Sequence, residues 1–304
     1  MADLPGELRH RPWVNFGHNR SESLRFARRW GELALVVDAD DRLSVDGAYD
    51  PNQFDTNVDG WVLPVVDGDL RYKRLHLFNS VADWRYEGAV HEFACLNRFS
   101  RTRDVSGMVY LRVGGGNRSR SPDRYLQDAR LLLSPEGGEP SDPRSVFYLA
   151  QSFRDAGLHR LAIYWYRRRT RMEGFDQERW YARYQIAGLL RDRLADEAGA
   201  VREYRRCREE RPPRIEPWVR LAEISRRRKK WRLALGYADR ACLLPRSGDA
   251  LFVHREDEDW RRWDERARAL RGLGDKVTSS EIWRRLLPRP DLPLQARDRM
   301  ARAV

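Results

Sequence analysis

A recurrence of small residues in the second half limits what this chain can fold into. In "FYLAQSFRDAG", Ala150 is followed by Phe153 at +3, Gly157 at +7, Ala162 at +12 and Tyr166 at +16. In "RLAEISRRRKKWRLALGYADRACLLP", Ala222 follows Leu221 and precedes Ala234 at +12, Ala241 at +19 and Pro245 at +23. Between them, Ala187 leads to Ala200 and Tyr204 with one extra residue in the turn, and Pro212 closes the copy. The three leading alanines are 37 and 35 residues apart. Small residues where two antiparallel helices cross let the backbones approach, and the aromatics fill the flanking holes. Such a unit cannot bury its apolar face alone, so its copies must stack.

This spacing resembles the tetratricopeptide repeat, a helix-turn-helix unit of about 34 residues, and three copies are the usual minimum. An ordinary helical bundle is the competing fold. The repeats are expected over 142–246. Residues 247–304, with "LFVHREDEDWRRWDERARALRGLG" and "SSEIWRRLLPRP", read as further helices capping the last copy.

Before Pro140 the character is different. Short β-rich runs, "ELALVVDAD", "YKRLHLF" and "GMVYLRV", alternate with Gly, Asp, Asn and Pro clusters. Turn formers concentrate in "GGGNRSRSPDR" (Gly114 to Arg124) and "SPEGGEPSDP" (Ser134 to Pro143). The expected fold class is therefore α/β over 1–130 followed by an all-α half.

Composition narrows the function classes only slightly. With 304 residues, 41% hydrophobic and 34% charged, the chain is too apolar to be disordered. A formal charge of +12 and a pI near 10.0 favour anionic partners, although solvated helix faces give the same arginine content. Nucleic acid is not favoured: "SRRRKKWR" (Ser225 to Arg232) spans a turn between repeat helices, and there is no zinc module or aromatic RNA-reading signature. Cys95, Cys207 and Cys242 form no CxxC pair and read as small core residues in a reducing cytosol. Neither a membrane span nor a signal region is evident, so a cytoplasmic location is expected. GxSxG, HExxH and P-loop motifs are absent.

The sharpest chemical feature is "WVNFGHNRSESLRFARRWGELALVVDADDRL", Trp13 to Leu43. "NRSE" reads as a helix start of the capping-box type at Asn19, with Gly31 suited to the left-handed end. Leu33 to Val37 reads as a strand buried on both faces. That strand delivers Asp38, Asp40 and Asp41 at its carboxyl end, where open α/β sheets bind ligands. Asp38 and Asp40, two apart, can share one hard divalent cation; a solvated turn with a helix cap explains the same residues.

The segment "FGHNRSESL…LVVDADD" resembles the donor-sugar region of family 2 glycosyltransferases of the GT-A fold, with Asp38-Ala39-Asp40 as the D-x-D motif. "YKRLHLFNSVADWRYEGAVHEF" resembles that family's strand, aromatic turn and His-Glu pair, and the helical half resembles its members that carry tetratricopeptide repeats. The resemblance implies a partial GT-A-type, Rossmann-like sheet domain that moves a sugar, with inversion, from a nucleotide-sugar donor to a peptide, protein or glycan acceptor positioned by the repeats. It implies Mn²⁺ or Mg²⁺ held by Asp38, Asp40 and His91, donor contacts from His18, Asn19, Arg20 and Asp38, and Glu92 as the catalytic base. Trp84 and Tyr86 are either core or an acceptor platform.

Family members begin with an apolar strand and an acidic-glycine-serine strand end that hold the donor's base and ribose. Only "ADLPGELRHRP" precedes Trp13 here, so the nucleotide-binding half is expected to be missing. The surface left uncovered would then offer a route to a homo-oligomer. A second class of function stays open: a non-catalytic tetratricopeptide interaction module derived from a degenerate or truncated transferase.

Overall fold

The computed structural model describes residues 6–55, 57–68, 70–114, 121, 123–133, 139–249 and 251–304. Much of both turn-former-rich stretches, 115–120 and 134–138, falls outside the described residues. The chain forms two compact units, Met1–Ala156 and Gly157–Val304.

The first unit is built on a curled sheet. Helix α1 (Phe16–Ala27) precedes strands β1 (Leu33–Leu35), β2 (Arg42–Val45), β3 (Gly60–Asp67) and β4 (Leu70–Asn79). Strands β5 (Arg85–Glu87), β6 (Phe93–Cys95), β7 (Thr102–Asp104) and β8 (Met108–Arg112) follow, then helices α2 (Arg124–Leu132) and α3 (Pro143–Asp155). The sheet order is β1-β4-β3-β8-β2, with β7 beside β3 and β5-β6 as a separate hairpin.

This topology departs from the Rossmann-like expectation. β1 and β3 both run antiparallel to β4, and β2 runs antiparallel to β8. The parallel pairs are β3 with β7 and β3 with β8, and no helix lies between these strands among the described residues. A doubly wound sheet needs parallel strands joined by crossover helices, whereas this sheet is mostly antiparallel and β3–β4 is its one pair of consecutive strands among the described residues.

The strand before the aspartates is also different. β1 spans three residues at a sheet edge, and only Ala34 of it is buried. Leu35 is 39% and Val37 41% exposed, so the apolar run is not buried on both faces. The helix before it begins three residues ahead of Asn19: Asn15 is the N-cap and its side chain accepts from the His18 N–H. Arg28, in right-handed geometry, ends it before Gly31.

Alternation along β3 sends Trp61, Leu63 and Val65 into one core with Met108 and Tyr110. On another side, Leu24 of α1 packs with Ala34, Phe78, Trp84 and Tyr86. Trp84 and Tyr86 are therefore core residues, 2% and 8% exposed, and the Trp84 indole donates to the Asp59 carbonyl at 2.8 Å.

The second unit is an array of helix pairs. Helix α4 (His159–Arg169) precedes α5 (Asp176–Asp192) and α6 (Glu197–Glu210), then α7 (Glu216–Arg227) and α8 (Trp231–Leu243). A π-helical turn, Asp257–Arg261, leads into α9 (Arg262–Gly272), followed by α10 (Lys276–Leu286) and α11 (Leu294–Ala301). α5 packs on α6, α6 on α7, α7 on α8 and α8 on α9. Short turns make α5–α6 and α7–α8 antiparallel neighbours. Ala187, Ala200, Ala222, Ala234 and Ala241 have no exposed surface, as the crossing-point reading requires. This half of the chain is a tetratricopeptide-like helical array, legible in its small-residue spacing.

Candidate functional site

In the first unit, Arg20 is the hub of the residues the sequence singles out. One turn into α1, its guanidinium pairs through Nη2 with Asp38 and through Nε with Glu92 Oε1 at 2.6 Å. Glu92 is 8% exposed, and Arg74 of β4 approaches the same oxygen at 3.8 Å. Burial opposes the charge on Arg20, yet Glu92 and then Asp38 hold its pKa above the ordinary value. Thus the aspartate after β1 and the glutamate after β5 do converge, and a side-chain cation joins them.

His76 lies beside this network at an irregularity in β4. Leu75 opposes Val62 and Leu77 opposes Trp61, so His76 is the extra residue of a bulge, a device that re-aims side chains. Its carbonyl accepts from the Val36 N–H at 2.9 Å, and its Nδ1 lies 3.0 Å from the Val36 carbonyl. A carbonyl only accepts, so Nδ1 carries the proton and Nε2 is left as an acceptor, buried with no partner among the described residues. The ring stacks on Tyr110 at 3.8 Å. Burial pushes the His76 pKa down to about 4 and that of Tyr110 up to about 12. The Tyr110 hydroxyl accepts from the Asp38 N–H at 3.1 Å and donates to Asp41 Oδ2 at 2.9 Å.

The other expected site residues are placed differently. His18 is exposed on α1. Asn19 accepts from the Val14 N–H and donates to the Pro12 carbonyl, both at 3.0 Å, which folds the preceding segment onto the helix. Asp40 is exposed in the turn. His91 is exposed, takes a left-handed backbone with φ of 53°, and stacks on Tyr148 of α3 at 3.9 Å.

A divalent cation does not fit this donor set. No group of three or more His, Cys, Asp or Glu side chains among the described residues is arranged to hold a metal ion. The charge a cation would supply to Asp38 and Glu92 is already supplied by Arg20, with Arg74 adding repulsion. Asp38, Asp40 and His91 do not form such a group among the described residues. Sequence reasoning missed Arg74 and His76. Alternation with Leu75 in "RLHL" was the available signal for Arg74, whereas His76 sits at a bulge that alternation does not mark.

The second unit holds a site of another kind. After α8, residues 247–249 and 251–254 have no regular secondary structure and make contacts with α5, α7 and the turn between α6 and α7. Arg214, fully buried and stacked 3.9 Å over Trp180, donates to the Phe252 carbonyl at 2.6 Å and to Asp249 Oδ2 at 2.9 Å. Arg211 Nε donates to the same oxygen at 2.6 Å. Gln177 of α5 accepts from the Leu251 N–H at 2.9 Å, and Glu216 of α7 from the His254 N–H at 3.2 Å. The Phe252 ring stacks on Tyr181 at 4.2 Å and 9°. Farther along, Arg220 donates to both oxygens of Asp257 at 2.9 and 2.7 Å. Burial raises the Asp257 pKa to about 6 and lowers that of His254 to about 4. Backbone groups, an acidic side chain and an aromatic ring are each read by side chains of α5, α7 and the α6–α7 turn, as in peptide recognition.

No family model matches the chain, and no curated protein matches it. Among solved structures it is similar to the C-terminal part of a TPR repeat-containing protein from Cytophaga hutchinsonii, at 13% identity and a TM-score of 0.46, over 60% of this chain and 67% of that one. It is also similar to MamA, at 12% identity and 0.43, over 62% and 99%. A thermophilic TPR protein of Thermus thermophilus aligns at 15% identity and 0.38, over 59% and 88%. At these values the likeness adds nothing to the helix pairs described above. No helix among the described residues is long and apolar enough to cross a membrane.

Proposed function

We propose that this chain is a protein-interaction module with no catalytic step of its own. The repeats over 142–246 and the helices of 247–304 present side chains that hold an extended peptide, and the partner is a protein segment. The observation that carries this reading is the hold of Arg211, Arg214, Gln177, Glu216 and Tyr181 on Asp249, Leu251, Phe252 and His254, which lie outside regular secondary structure. It makes the partner an acidic segment with an aromatic residue, the chemistry of Asp249 and Phe252. Sugar transfer has weaker support, because Arg20 occupies the carboxylates that a metal and an acceptor hydroxyl would need.

The test uses the full chain with Asp249→Ala and Phe252→Ala together, which loosens the resident stretch. A labelled peptide with the sequence of residues 246–259 should bind this variant by fluorescence anisotropy, and a scrambled peptide should not. A loosened chain that keeps its helical circular dichroism but ignores the peptide would overturn the reading. Mn²⁺-dependent binding of a nucleotide sugar, lost in Asp40→Ala, would favour the transferase instead.

A further inference from the structure

Near the C-terminal end of the second unit, a pocket of about 290 Å³ is lined by Arg226, Trp231, Arg268, Arg271, Trp283 and Arg299. Its charge is unbalanced. Four guanidiniums line it, and two carboxylates, Glu265 and Asp264, pair with them. Glu265 accepts from Arg226 at 2.6 and 3.2 Å and from Arg268 at 3.4 Å. Asp264 accepts from Arg299 at 2.7 Å and from the Trp283 indole N–H at 2.8 Å. Both carboxylates are buried, 4% and 6% exposed for Asp264 and Glu265, so they belong to the packed wall.

Arg271 is left over. The Ser280 hydroxyl stands 3.5 Å from its Nη2, its Nε is buried with no partner, and no carboxylate lies within ion-pair distance among the described residues. Its guanidinium sits 4.9 Å from the centre of the Trp283 ring. Arg268 feels the crowding: burial lowers its pKa, Arg226 and Arg299 add to that, and Glu265 opposes it. Arg271 is half-buried, with its Nε sequestered, and a partly desolvated guanidinium without a counter-charge gains from a ligand that brings one.

We propose that this pocket binds a dianionic phosphate monoester carried on a small planar group. Two uncompensated positive charges match a dianion, where a carboxylate would leave one unbalanced. Guanidinium forks suit phosphate oxygens, and the indoles of Trp231 and Trp283 give the planar group an apolar wall. The pocket is separate from the stretch at 247–254, so its failure would leave the peptide reading untouched.

Calorimetric titration of the full chain tests it, with phenyl phosphate, inorganic phosphate and benzoate as probes. Phenyl phosphate should bind at least tenfold more tightly than either of the others. Arg271→Met should weaken it at least tenfold while leaving the urea midpoint unchanged or higher, since Arg271 has no ion pair to lose. Exposed Arg284→Gln should change neither. Equal affinity for phenyl phosphate and benzoate would overturn the proposal. So would undiminished binding in Arg271→Met, or a midpoint that falls with it, which would make Arg271 a structural residue; Arg271→Lys, keeping the charge without the fork, should bind at an intermediate level.

Discussion

The Nε of Arg20 lies 2.6 Å from Glu92 Oε1, and the same guanidinium reaches Asp38 on its other side. Glu92 is nearly buried, so the pair is costly to break from one end. Arg20→Met leaves Glu92 with only Arg74 at 3.8 Å. The expected cost is about 3 kcal/mol, the low end for a broken buried pair. It should appear as faster amide hydrogen exchange in α1 and β4, and Glu92→Gln in the same chain should recover part of the protection.

His76 should make stability depend on pH. Its folded pKa is lowered from 6.5 to about 4, so between these values the unfolded chain binds a proton that the folded chain refuses. Stability is therefore full above pH 6.5 and falls as pH drops towards 4, by roughly 3 kcal/mol. Urea midpoints across that window should fall more steeply in the wild type than in His76→Gln. His254 acts in the same direction, and Asp257, raised to about 6, acts in the opposite one, so the second unit should respond more weakly.

Two helical glycines should respond to alanine with opposite signs. At Gly236 of α8 a Cβ would meet nothing within 4 Å, and Gly236→Ala should stabilise by about 1 kcal/mol. At Gly17 of α1 a Cβ would stand 2.6 Å from the Gly88 carbonyl oxygen, a backbone atom that cannot swing away. Gly17→Ala should lower the thermal midpoint despite the better helix former.

The Arg220–Asp257 pair should show its burial through pH. Asp257 has no exposed surface, and without Arg220 its nearest guanidinium is Arg261 at 3.8 Å. Arg220→Met should cost about 3 kcal/mol at pH 8. At pH 5 the cost should shrink, because the folded state takes up a proton on Asp257 and so regains stability as pH falls through its raised pKa. Paired urea denaturations at the two pH values measure the difference.

The helical half is legible in the sequence because its information is local. Alanines at +12 and +13 mark crossings within one hairpin, and Ala187, Ala200, Ala222 and Ala234 all sit at fully buried positions. The sheet is less legible because its order is set by pairings across 40 or more residues, such as Leu35 with Leu77 and Val65 with Tyr110. Leu33 to Val37 has the composition of a central strand, and nothing in it says that it lies at an edge. Asp38 and Glu92 stand out in the sequence and do converge, and the cation that joins them is Arg20, a residue the resemblance assigns to donor contacts. The bulge that turns His76 inward has no sequence mark. In the second unit, "LFVH" reads as the start of the capping helices, and the grip of Arg214 on the Phe252 carbonyl is a relation between distant residues.

On the proposed reading, the segment that carries Asp249 and Phe252 is joined to α8 by a few residues and would meet its binding residues at an effective concentration on the order of millimolar. A free competitor making equal contacts would have to exceed that level or hold on more tightly. The array would then discriminate by threshold, staying closed to weak or scarce partners and yielding only to an abundant or a better-matched one.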